Sequence, residues 1–138
     1  MSAVSAMDAA LYTALNTGTV VGVGKASAVY RGMAPLTATF PLVIFALMDG
    51  DDNYVLGGRG FVRLNYSIRV VYEGLSAAGA STLADAIDTL LTNVTLTVTG
   101  HTMMVGRRVR LISYPESVEG GVTYQHVGGE YEFMLDPA

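Results

Sequence analysis

The sequence predicts an α+β fold, a mainly antiparallel sheet with two helices packed on one face, in the order α-β-β-α-β-β. Three observations predict it. From Phe61 to Glu73, Val62, Leu64, Tyr66, Ile68, Val70 and Tyr72 alternate with the polar Arg63, Asn65, Ser67, Arg69 and Glu73. Successive side chains leave a strand on opposite faces, so this is one long strand with an apolar even face and a polar odd face. Leu83, Ile87, Leu90 and Leu91 fall at i, i+4, i+7 and i+8, the stripe of an amphipathic helix. Extended runs lie before and after that helix, broken by Gly- and Asp-rich stretches, which places a hairpin on either side of it.

Taken in order, Ser5 to Asn16 carries Met7, Ala10, Leu11, Ala14 and Leu15 at helical spacing. Ser2 or Ser5 suits its start, Asp8 its first turn, and Gly18 its end. Thr19 to Ser27 reads as a loop or weak strand, and Val29-Tyr30-Arg31 as a short extended piece. Pro35 and Pro41 bracket an extended segment. Leu42 to Met48 is a strand apolar on both faces. Asp49-Gly50-Asp51-Asp52-Asn53 is turn chemistry and Gly57-Gly58-Arg59-Gly60 prolongs it, so a long connection joins this strand to Phe61–Glu73. With so much glycine and several contact-forming side chains, this connection is expected to be mobile alone and to order on assembly.

The second helix should begin near Ser76 and pack its leucine stripe on the even face of the long strand, with Asp85 and Asp88 turned away. Val94, Leu96 and Val98 alternate with threonines, a short strand before Gly100. Arg108 to Ser113 is extended and Pro115 to Gly121 a turn. The last run, Val122 to Leu135, switches its apolar phase from even (Val122, Tyr124) to odd (Tyr131, Phe133, Leu135) at Gly128-Gly129, which suggests a β-bulge. The sheet face away from the helices is left free for neighbours. No linker or repeat divides the chain, so residues 1–138 form a single domain.

Composition narrows the function. Charged residues are 14% of the chain, against about 25% in ordinary soluble domains, while apolar residues are 51%. The longest apolar run, Phe40 to Met48, is about half of the ~20 residues a spanning helix needs, and Met1-Ser2-Ala3-Val4 lacks the basic region of a signal peptide. An apolar chain without a membrane span is expected to hide surface against other subunits. A net charge of −4 argues against broad capture of nucleic acid. The absence of cysteine removes disulfides and thiolate sites.

Motifs that invite chemistry do not complete it. Gly22-Val23-Gly24-Lys25-Ala26-Ser27 lacks the first glycine and the Ser/Thr of a phosphate loop. Asp49, Asp51, Asp52 and Asn53 hold oxygen ligands, yet Tyr54 and Gly60 stand where an EF-hand needs glycine and glutamate. His101 and His126, with Ser113, Glu116 and Glu119 nearby, form no recognisable triad. No catalytic, cofactor-binding or metal-binding residue is assigned. What remains is contact chemistry: a candidate docking loop of Asp49, Asp51, Asp52, Tyr54, Leu56 and Arg59, and a candidate subunit interface of Arg63, Arg69, Arg108 and Arg110. Arg108 and Arg110 are expected on one strand face, and Arg63 and Arg69 are expected to meet acids of a neighbour because charges are seldom buried unpaired.

An ordered set of short motifs resembles the tail terminator (tail completion) proteins of long non-contractile-tailed bacteriophages. It comprises the helix Ala9 to Leu15, then Val29-Tyr30, Ala34-Pro35, Phe40-Pro41-Leu42-Val43-Ile44, the long strand to Tyr72-Glu73, the helix Ala84 to Leu91 and the closing strand Tyr131 to Leu135. Leu36-Thr37 departs from the polar residue, often glutamine, that such proteins carry soon after Ala-Pro. The resemblance implies a non-enzymatic virion protein without cofactors, made in the host bacterial cytoplasm and placed at the tail–head junction. It implies a homo-oligomeric ring, usually a hexamer, that caps the tail tube protein and offers a surface to the head-completion or neck protein. It implies no membrane partner and no sequence-specific nucleic acid, although DNA passes through such a ring. Two alternatives stand beside it. One is a neck or head-completion protein of the same particle. The other is a small ligand-binding or enzymatic domain whose sheet face lines a pocket with Tyr66, Tyr72, Tyr124 and His126.

Overall fold

The computed structural model describes residues 2–74, 78–118 and 120–137. Its elements are α1 (Ala3–Leu15), β1 (Val29–Arg31), β2 (Leu42–Val55), β3 (Gly58–Glu73), α2 (Ala78–Leu91), β4 (His101–Val118) and β5 (Val122–Pro137). The strands form one sheet in the order β1-β2-β3-β5-β4. All neighbours are antiparallel except β1, which runs parallel to β2. The α+β class and the α-β-β-α-β-β order therefore hold, with the short piece Val29–Arg31 added as an edge strand. The expected helix start at Ser76 lies outside the described residues.

β3 is central because its even face is the most continuously apolar surface in the chain. Val62, Leu64, Tyr66, Ile68 and Val70 are all buried. They pack in one cluster with Met7, Leu11 and Leu15 of α1, Leu83, Ile87 and Leu91 of α2, and Tyr131, Phe133 and Leu135 of β5. Both helices thus cover the same face of the sheet. Burying each large apolar side chain contributes about 1.5–3 kcal/mol.

The helix ends follow from local hydrogen bonding. Ser2 caps α1, its side chain accepting from the Ser5 amide at 3.2 Å, so the helix starts earlier than Ser5. Asp8 does not serve the first turn. It is buried, accepting from the Tyr66 hydroxyl at 2.6 Å and pairing with Arg31 at 2.6 Å. Asp88 likewise does not turn away from the core: it accepts from the Tyr131 hydroxyl at 3.0 Å and lies 3.7 Å from Arg108.

Several extended segments differ from expectation. Val94 to Val98 is not a strand. It makes a single bridge, Val98 with His101. Pro115 is not in a turn: β4 runs through it to Val118. This is allowed because β4 is an edge, where a residue without an amide proton leaves no ladder bond unmade. Glu119 lies outside the described residues. No bulge occurs at Gly128-Gly129, since β5 pairs with β3 in unbroken register from Tyr124 to Leu135. Those glycines are required by close approach. A Cβ on Gly128 would collide with the Ile68 carbonyl oxygen, and one on Gly129 with the Arg108 side chain and the Arg110 carbonyl.

The phase switch in β5 has another cause, which also corrects the expectation of a wholly free sheet face. A second apolar cluster sits on the face opposite the helices, built from Leu42, Ile44 and Val71 with Tyr30, Ala34, Ala38, Phe40 and Tyr124 packed against it. The segment 32–41, which includes a cis Phe40-Pro41 bond, covers one end of that face. Even residues of β5 are apolar there because they too have something to pack on.

Candidate functional site

The Asp49–Gly60 stretch is not a loop. β2 continues to Val55 and β3 resumes at Gly58, leaving Leu56-Gly57 as a two-residue turn with Gly57 at φ 96°. The acids are held by partners across the hairpin: Arg63 donates to Asp51, and Asn65 Nδ2 donates to Asp49 Oδ1 at 2.6 Å. The hydrogen bond to Asp51, then the Asp51 charge, raises the Arg63 pKa above its ordinary value. Residues 58–61 of β3 pair only with β2, so the hairpin end projects as a two-stranded arm beyond the rest of the sheet. Tyr54 is 70% and Leu56 104% exposed at its tip. Asp52 lies opposite Val62. Arg59 pairs through its backbone with Tyr54, and its side chain lies outside what is described.

Two bulges decide which side chains meet. One extra residue at Met48 shifts β2, so that Ala46 faces Ser67 but Asp49 faces Asn65 and Asp51 faces Arg63. Were Met48 paired in a regular ladder, the acids would fall on the helix side. The second, at Val109, separates Arg108 from Arg110. Arg108 goes to the helix side and Asp88, whereas Arg110 goes to the opposite face and Glu130 at 3.6 Å. The expectation that they share a face is thus overturned by one inserted residue.

The face away from the helices therefore carries a polar ladder across four strands. Asp51–Arg63 and Asp49–Asn65 join β2 to β3. Arg107 pairs with the buried Glu132 at 3.1 Å, and Arg110 with Glu130, joining β4 to β5. Arg63 and Arg69 both have partners within the chain. Arg69 donates through Nε to His126 Nδ1 at 3.1 Å. Since a guanidinium only donates, Nδ1 accepts, and the ring proton sits on Nε2, directed to Glu116 Oε1 at 3.0 Å. His126 is 6% exposed and stacks under Tyr114, with ring centroids 4.6 Å apart.

Beside this chain, where segment 32–36 and Phe40 overhang the sheet, a cavity of about 400 Å³ opens, walled by Leu42, Ile44, Val71 and Tyr124 with Arg69, Glu116 and His126 at one side. Of the four residues expected to line such a pocket, Tyr124 and His126 do. Tyr66 lies in the core under the helices, and Tyr72 lies on that same side against Gly79. Ser113 stands opposite Val127, and His101 contacts the Thr99 carbonyl at 3.0 Å. Lys25 closes its own turn by donating to the Gly18 carbonyl at 2.5 Å. Among the described residues, no three His, Asp or Glu side chains converge as metal ligands.

No family profile matches the chain, and no curated protein aligns with it. Its fold is similar to that of a chain in a solved structure described as the virion of native gene transfer agent (GTA) particle. The TM-score is 0.74 at 20% sequence identity, and the match covers 98% of each chain.

Proposed function

We propose that this chain is a structural virion protein of a phage-type particle, a subunit of a ring that caps the tail tube and presents the surface to which the head joins. The observation that carries the reading is the fold shared over 98% of both chains with a component of a gene transfer agent virion. The order of motifs that resembles tail terminators is an independent support from sequence. The geometry is of a kind that suits the role. The sheet is five strands wide, its polar face is cross-linked by bonds within the chain, and a preformed acidic arm ends in exposed Tyr54, Val55 and Leu56. In this reading the arm, with Asp49, Asp51, Asp52 and Arg59, is a contact surface within the particle.

Purified protein tests the reading directly. Light scattering and negative-stain imaging should show closed rings, of six subunits if the terminator resemblance carries through. Added to tail tubes growing in vitro, those rings should halt elongation at one end. A protein that stays monomeric at all concentrations overturns the ring. Rings that ignore tubes but bind the head vertex assign the chain to the neck instead.

A further inference from the structure

The arm tip and the rim of the cavity beside segment 32–40 are both apolar and exposed. Tyr54, Val55 and Leu56 are 70%, 62% and 104% exposed, and Met33 and Leu36 at the cavity rim are 84% and 106% exposed. They lie toward opposite ends of β3, one at Gly58 and the other at Arg69 and Val71. Twelve residues of strand span roughly 40 Å, so the tip does not reach the cavity of its own chain.

We propose that the arm tip of one copy seats at the cavity of a second copy, with Leu56 as the anchor against Met33 and Leu36 at its rim. The inference rests on the self-assembling role proposed above and names its contact. A second copy fits better than an unrelated partner because each chain supplies one knob and one hole. A repeating head-to-tail contact covers both on every subunit, and such heterologous contacts make a ring when the rotation closes. The polar side of the cavity holds Arg69, His126 and Glu116 in one hydrogen-bonded chain. Tyr54 brings a ring for the apolar wall and a hydroxyl for its polar side. The obvious rival, strand addition along the exposed edge of β4, is obstructed by bulges at Met104 and Val109 and by Pro115, which lacks an amide proton.

The test uses the full chain. Sedimentation velocity should place the dissociation of Leu56→Asp and of Leu36→Asp oligomers at concentrations at least about tenfold above wild type, since each puts a charge into an apolar contact. Thermal unfolding of the two variants should be unchanged, both sites being surface positions. Val23→Asp, fully exposed in a remote turn, should leave assembly as it is. The chain has no cysteine, so Leu56→Cys and Leu36→Cys can be mixed with a short bismaleimide. A tip-to-rim crosslink that needs both variants is expected. Intact oligomers in Leu56→Asp, an equal effect of Val23→Asp, or tip-to-tip crosslinks alone would overturn this contact while leaving a ring possible by another surface. Wild-type protein that never oligomerises would overturn the contact and the ring together.

Discussion

The Tyr66 hydroxyl donates to Asp8 Oδ1 across 2.6 Å, tying the middle of the central strand to the first helix through a buried carboxylate. Arg31 of the edge strand reaches the same carboxylate at 2.6 Å, so one acid gathers α1, β1 and β3. Tyr66→Phe removes the donor and leaves Asp8 short of a bond. The expected loss is about 1–3 kcal/mol of unfolding free energy, read by urea denaturation. A loss below about 0.5 kcal/mol would mean that Arg31 alone satisfies the carboxylate.

The same burial sets a pH limit. Burial, then the hydrogen bonds to Asp8 and Asp88, raise the pKa values of Tyr66 and Tyr131 well above the phenol's ordinary value. A phenol raised in the folded state keeps its proton there after the unfolded chain has lost it. The stability is thus complete below about pH 10 and falls as pH rises beyond it. Ultraviolet titration of tyrosinate should find these two of the eight tyrosines silent until the protein unfolds.

The arm should be ordered in the isolated subunit. Amides of residues 49–55 that pair across the hairpin should show hydrogen-exchange protection in monomeric protein, and Asp51→Ala should reduce it locally. Exchange at unstructured rates throughout 49–60 would restore the picture of a connection that orders only on assembly.

Ile87→Ala should cost about 2–5 kcal/mol, because the side chain is fully enclosed between α2 and the even face of β3. An unchanged unfolding midpoint would place α2 elsewhere.

Gly128→Ala should destabilise by about 1–3 kcal/mol or more, since the added methyl meets the Ile68 carbonyl on the neighbouring strand. Gly120→Ala, with open space around it but φ at 97°, should cost less than that in the same denaturation series.

Much of the fold was legible because its signals are periodic. The alternation in Phe61–Glu73 and the leucine stripe of Leu83–Leu91 each follow from one element's own residues. The arm was not legible for the opposite reason. Three aspartates and four glycines between 49 and 60 carry local turn chemistry, while the groups that make the stretch a strand, Arg63 and Asn65, lie 12 and 16 residues away from Asp51 and Asp49. The arginines Arg63, Arg69, Arg108 and Arg110, expected at a subunit interface, each have a partner inside the chain that their own spacing does not report. An extra residue at Met48 or Val109 leaves no mark in composition. It exists only relative to the facing strand. The cavity did leave a trace, the even apolar phase of Val122 and Tyr124 before the switch at Gly128-Gly129, which reports a second packed face rather than a kink.

The extra residue at Met48 makes the arm a question of parity. A regular ladder through Met48 would carry Asp49 and Asp51 round to the side of Phe45, and the step out of the ladder there brings them to Asn65 and Arg63 instead. Met48 has no partner on β3 and is half exposed, so substitutions at it should be absorbed freely. Deleting it should close the ladder from Leu47–Tyr66 straight to Asp49–Asn65 and leave every pairing outward unchanged. This stretch is therefore tolerant in length as well as in identity at one position. Homologues of this chain should vary there in letter, or lack the residue, while the acids keep their partners on β3.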